Sequence, residues 1–119
     1  MPETIPYGKQ SISESDIESI ARVLRSDYLT QGPTVPAFEK AVAKKSNSQY
    51  PVAVNSATSA LHIACLVLGV GAGDAVWTSP NTFVATANCA SYCGASVDFV
   101  DIDSRTWCMS TEKLRTKLE

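Results

Sequence analysis

Asn55, Ser56, Thr58 and Ser59 put four hydrogen-bonding side chains within five positions, directly after the apolar run Pro51-Val52-Ala53-Val54. The next residues, Ala60-Leu61-His62-Ile63-Ala64, read as a helix interior, so the small polar groups fall in its opening turn. Backbone N–H groups there have no intrahelical acceptor, and the helix dipole is positive. Two uses follow. One serine or threonine can cap the helix, or the open amides and the hydroxyls of Ser56, Thr58 and Ser59 can hold a phosphate without a lysine. Local chemistry favours the routine cap. Neither GxxxxGK nor GxGxxG occurs, which removes a Walker-type or Rossmann dinucleotide reading.

A second polar turn, Ser79-Pro80-Asn81-Thr82, leads into Phe83. Phe83 reads either as a core residue or as a first-turn ring laid flat against a planar ligand. His62, in mid-helix, reads as structural or partly exposed. Asp98, Asp101 and Asp103 do not form one carboxylate cluster, because strand alternation sends Asp98 and Asp101 to different faces. Loop solvation and capping account for them. Cys65, Cys89, Cys93 and Cys108 form no CxxC pair and no secreted-type framework, so buried free thiols are expected. Cys89 and Cys93 could share a helix face as metal ligands, but no second pair or nearby histidine completes a site, and no metal is expected. Trp77 and Trp107 read as core or interface residues.

The elements that must position these groups are legible in the same way. Pro2, Pro6 and Gly8 make the first ten residues an extended arm. Ser13 with Asp16 resembles a cap with an acidic first turn, and Ile17, Ile20, Ala21 and Leu24 recur at helical spacing. Gly32 and Pro33 end that pattern after SDYLTQGP. A second helix is then expected with Thr34 as cap, Pro36 in its first turn, and Phe38, Ala41 and Val42 facing inward. From residue 51 three units repeat an architecture: PVAV, AVWTS and SVDFVDI as strands, each followed by a helix, with Gly69 and Gly94 as helix stops. Strands alternating with helices predict an α/β fold with a mostly parallel sheet of about three strands. The expected division is 1–50, an arm and two helices, and 51–119, the start of a ligand-binding sheet domain. In such sheets ligands bind where strands run into helices, which is where NSATS and SPNTF lie.

The chain has 119 residues, 45% apolar and 18% charged, with a net charge of −2. That composition predicts a globular domain and offers no basic field for nucleic acid. No apolar run approaches the ~20 residues of a membrane span, and the N-terminus has no signal-peptide core, so a cytoplasmic location with no membrane partner is expected.

Read together, YLTQGPTVPAFEKAV, VNSATSALHIA, GAGDAV, SPNTFVATANCASYCGAS and DFVDID resemble, in order and almost end to end, the N-terminal part of the DegT/DnrJ/EryC1/StrS sugar aminotransferases. The NSATSAL version is most similar to the PseC branch, which makes UDP-4-amino-4,6-dideoxy-N-acetyl-altrosamine for pseudaminic acid. The resemblance implies a partial three-layer large domain of the PLP-transferase fold type I. It implies that Thr58 and Ser59, with the backbone around Ala57, receive the phosphate of pyridoxal 5'-phosphate (PLP), and that Phe83 stacks on the pyridine ring. Tyr7 and the loop Asp27, Tyr28, Leu29 and Thr30, with Ala57, match positions that contact the nucleotide-sugar substrate. Ala57 stands where most of the family has Gly, and Ala75 replaces a usual Glu.

Family members extend over roughly three times this span, and the resemblance places their Schiff-base lysine and the Asp that pairs with the pyridine nitrogen beyond residue 119. Lys9, Lys40, Lys44, Lys45, Lys113 and Lys117 do not match that lysine. The implied activity is transfer of an amino group from glutamate to a 4-keto nucleotide sugar, with this chain alone inactive and not retaining PLP. Sheet partners supplied elsewhere would leave open edges here, so a homodimer or higher oligomer is expected. A small free-standing α/β binding or assembly module that keeps only the phosphate-binding turn is the alternative.

Overall fold

The computed structural model describes residues 8–119, which form two compact units, residues 8–53 and 54–119. Each is described by itself.

The first unit carries α1 (Glu14–Leu24) and α2 (Thr34–Ser46). Ser13 starts α1 with a full capping box: the Asp16 N–H donates to Ser13 Oγ, and the Ser13 N–H donates to Asp16 Oδ2 at 2.9 Å. Those bonds hold the Asp16 carboxyl below its usual value, the Ser13 backbone bond first. The expected start of α2 is corrected. Pro33, not Thr34, is the cap residue, and Thr34 is already helical. With Pro36 lacking an N–H and the Ala37 N–H taken by the Pro33 carbonyl at 3.1 Å, a Thr34 hydroxyl has no amide left to accept from. Nor are Phe38, Ala41 and Val42 inward-facing: all three are exposed, and neither helix holds a buried residue. Asn47, left-handed at φ 53°, ends α2.

The second unit runs α3 (Ala57–Val67), β1 (Ala75–Thr78), α4 (Ala85–Tyr92), β2 (Ser96–Phe99) and α5 (Thr111–Leu118). β1 and β2 are parallel, with Ala75 opposite Ser96 and Thr78 opposite Phe99, and α4 crosses between them and packs on both. The fold is α/β, as expected, but the sheet has two strands among the described residues rather than three. PVAV forms no ladder: its Ala53 N–H donates instead to Glu39 Oε1 at 2.8 Å, and period alone cannot supply a strand partner. The third expected strand is also shorter than SVDFVDI. The Val100 N–H still reaches the Thr78 carbonyl at 2.9 Å, but β1 then runs into Pro80, which has no N–H to offer. Ile102 pairs instead with Met109 in an isolated antiparallel bridge.

α3 and α4 both end in the Schellman pattern. Gly69 and Gly94 take φ of 74° and 81°, and the amides of Val70 and Ala95 reach back to the carbonyls of Cys65 and Ala90. The buried core is small: Ala85, Cys89, Ala90, Ala95 and Val100, the last 2% exposed. It lies where α4 meets the sheet and the turn after it. α5, capped by Ser110, is tied to β2 through Lys117, whose ammonium meets Asp98 Oδ2 at 2.6 Å, donates to the Phe99 carbonyl at 2.7 Å and stands 5.7 Å from the Trp77 ring centre.

Candidate functional site

The opening turn of α3 is built from its own side chains. Ser56, extended at φ −160°, is the cap: its Oγ accepts from the Ser59 N–H at 3.1 Å. Ser59 Oγ lies 3.0 Å from Ser56 Oγ and donates to Asn55 Oδ1 at 2.7 Å. The Ser56 carbonyl accepts from the Ala60 N–H. Capping of this kind stabilises a helix by about 1 kcal/mol. It uses Ser56 and leaves the rest of the turn open. Among the described residues the N–H groups of Ala57 and Thr58 and the Thr58 hydroxyl have no partner. The routine cap and an open donor set therefore coexist. These donors, at the positive end of an 11-residue helix with no charge in its first turn, have the chemistry to hold an oxyanion by neutral hydrogen bonds. The Asn55–Ser59 bond is the contact that reading the turn as a row of hydroxyls misses; Asn four positions before Ser is its only signal in the sequence.

Thr58, His62 and Cys65 share a half-buried stripe of α3 at i, i+4 and i+7. That stripe meets α4: the His62 ring stands edge-on to Tyr92, centroids 5.3 Å apart. His62 is thus a half-buried packing residue.

Phe83 differs from both expectations. It is 73% exposed, not core, and lies before α4 rather than in its first turn; Val84 is the cap residue, and the Phe83 carbonyl accepts from the Thr86 N–H. The segment after β1 stays a loop as far as Val84, with the Thr82 hydroxyl 3.1 Å from that of Thr86. Its ring is therefore presented from the strand-to-helix connection.

Asp27, Tyr28, Leu29 and Thr30 form the loop after α1 in the first unit, all exposed. Ser26 organises it: its Oγ donates to the Val23 carbonyl at 2.7 Å and accepts from the Tyr28 N–H at 3.3 Å. Gly32 closes over this loop so tightly that a Cβ there would stand 2.4 Å from Tyr28 Cβ. Tyr7 lies outside the described residues.

The three aspartates are separately engaged. Hydrogen bonds from Lys117 and Lys113 hold the carboxyls of Asp98 and Asp101 below the usual range, and Asp103 is lowered by the backbone N–H groups of Arg105 and Thr106. Trp107 is an exposed residue at φ 60° rather than a core one. The cysteines are free, but only Cys89 is buried; Cys65 and Cys93 are half-buried and Cys108 is exposed, because the small core ends at α4.

The model of the DegT/DnrJ/EryC1/StrS aminotransferase family matches residues 10–119. The UDP-4-amino-4-deoxy-L-arabinose–oxoglutarate aminotransferase of Shewanella sediminis is 39% identical over 102 residues, covering 86% of this chain and 26% of that protein. The spore coat polysaccharide biosynthesis protein SpsC of Bacillus subtilis is 41% identical over 110 residues, 92% of this chain and 28% of that protein. Among solved structures, the PLP form of a sugar aminotransferase from Streptococcus pneumoniae aligns with a TM-score of 0.88 at 32% identity over 96% of this chain and 29% of its own. The sugar aminotransferase CalS13 from Micromonospora echinospora aligns at 0.84 and 33% over 98% and 32%. The chain thus spans between a quarter and a third of the length of these relatives, and its parallel pair and flanking helices match part of their fold.

Proposed function

The chain belongs to the DegT/DnrJ/EryC1/StrS aminotransferase family, and from that premise we propose that it is the N-terminal, phosphate-seating portion of a PLP-dependent enzyme transferring an amino group from glutamate to a 4-keto nucleotide sugar. The observation that carries this is the α3 opening turn, where Ser56 caps the helix while the Ala57 and Thr58 amides and the Thr58 hydroxyl stay free of other partners. PLP, when bound, supplies the electron sink and carries the amino group between donor and acceptor. The chain's own residues do the holding. Ala57, Thr58 and Ser59 receive the phosphate, Ser59 by turning its hydroxyl from Asn55. Phe83 offers a ring face to the planar cofactor. Tyr7, Asp27, Tyr28, Leu29 and Thr30, with Ala57, contact the nucleotide sugar. The two named relatives differ in the polysaccharide chemistry that their names give, so the proposal fixes the acceptor as a class, 4-keto nucleotide sugars, with the pseudaminate precursor as the member that NSATSAL favours.

Of the described lysines, the two in the second unit, Lys113 and Lys117, are engaged by Asp101 and Asp98. The chain alone is accordingly inactive, the lysine and the pyridine-nitrogen partner coming from a further part of the enzyme, in an oligomer acting in the cytoplasm. Two measurements test this. Inorganic phosphate, and separately PLP, titrated into isotope-labelled chain should shift the amide signals of Ala57, Thr58 and Ser59 before any others. Shifts confined to α2 or α5 would overturn the seat. Turnover of glutamate with a 4-keto nucleotide sugar should be absent for the chain alone, and a borohydride-fixed PLP adduct on one of its lysines would overturn that assignment.

A further inference from the structure

Three of the four cysteines converge on one helix contact. Cys65 lies on the α3 stripe one turn beyond His62, whose ring meets Tyr92 of α4. Cys93 adjoins Tyr92 in sequence and Cys89 precedes it by one turn. α4 packs on α3 as well as on the sheet, and the residues it buries, Ala85, Cys89 and Ala90, are all small. Burial pushes the Cys65 thiol up, and Cys89 and Cys93 are the neighbours that push it further. Cys89 Sγ itself donates to the Thr86 carbonyl at 3.2 Å.

We propose that Cys65 and an α4 thiol, Cys93 or Cys89, form a dithiol that closes to an interhelix disulfide with a low-molecular-weight disulfide as oxidant. The partner cannot come from α4 alone. Cysteines four apart on one helix hold their Cβ atoms about 5–6 Å apart, and a disulfide needs about 3.5–4.5 Å. Cys65 is therefore an obligatory half. The half-exposed Cys93 is the accessible point of first attack. Its thiolate displaces one thiolate from the small disulfide and forms a mixed disulfide. Cys65, losing its proton, attacks the Cys93 sulfur and the second small thiolate leaves; where Cys89 is the α4 partner it takes the small thiol first and Cys65 attacks it in the same way. Two protein thiols are oxidised, one small disulfide is reduced to two thiols, and the two protons go with them. The bond fixes α3 on α4. This inference rests on the helix contact and not on the proposed activity.

The test is incubation of the chain with oxidised glutathione, alkylation of the remaining thiols, and chymotryptic mapping without reductant. Cleavage after Trp77, Phe83 and Tyr92 separates the three cysteines. The expected product is a peptide containing Cys65 joined to one containing Cys93 or Cys89, reversed by dithiothreitol, lost in Cys65→Ser and retained in Cys108→Ser. A map in which Cys65 stays fully alkylated while Cys108 reacts, or in which Cys89 and Cys93 link to each other, overturns the proposal. Circular dichroism of Cys65→Ser separates loss of the bond from loss of the fold.

Discussion

Lys117 shows what a single residue does here. Its ammonium serves Asp98, the Phe99 carbonyl and the Trp77 ring at once, so it ties α5 to the far strand of a two-stranded sheet. The carboxylate half of that tie titrates. Hydrogen bonding from Lys117 depresses the folded-state value of Asp98 below the unfolded one. Its contribution is therefore fully present above the ordinary carboxylate value, near 3.9, and is lost as pH falls through the depressed folded value. Both groups reach solvent, so the pair is worth little in absolute terms. Asp98→Asn should lower the melting temperature by at most a few degrees at pH 7, and the gap from wild type should narrow as pH falls below the ordinary carboxylate range. Thermal melts at pH 7, 5, 3 and 2 check this. A gap that is the same at every pH would mean that the carboxylate charge is not what Lys117 reads.

At the scale of elements, helix ends decide more than helix interiors. Gly94 closes α4 with φ 81°, and a Cβ built there meets nothing nearer than the Ala72 nitrogen at 3.9 Å. Gly94→Ala therefore tests backbone conformation without a clash. It should cost about 1–2 kcal/mol, the penalty of a left-handed L-residue, measurable by urea unfolding with an unchanged m-value. The same positions show why some elements were readable in the sequence. Ser13, Gly69 and Gly94 act through residues within a few positions, so local chemistry suffices to locate them. PVAV was misread because a strand is defined by a partner, and period gives no partner. Thr34 and Phe83 failed for a different reason. At Thr34, Pro36 removes an amide that a capping hydroxyl would accept from, while at Phe83 the chain stays a loop two positions longer than the residue types suggest. The α3 turn was legible as a choice between cap and seat; what the residue types left undecided was that Ser56 alone does the capping, which leaves the rest of the turn open.

At the scale of the whole molecule the notable feature is how little apolar side chain is covered. α3 leaves Ile63, Leu66, Val67 and Leu68 exposed, the last two at 81% and 80%, and α1 leaves Ile17, Ile20 and Leu24 exposed as well. An apolar helix with no charged residue reads as one meant for an interior. Fully covering an exposed side chain of this size contributes about 1.5–3 kcal/mol, and since Ile63 and Leu66 are already about half covered, these four together offer roughly 4–8 kcal/mol per copy in gross terms. That is of the order of the ~4–15 kcal/mol that association costs in lost freedom. Because a symmetric pair covers two such faces, the 119-residue chain should self-associate, with light scattering giving at least twice the 12.7 kDa of one copy. A double variant, Leu66→Lys with Leu68→Lys, places charge on the uncovered face without touching the buried Ala85, Cys89 or Ala90. It should shift the mass toward one copy with helical content unchanged. A wild-type chain that is monomeric and melts cooperatively would show that these faces need no cover, and would remove the physical reason for expecting an assembly.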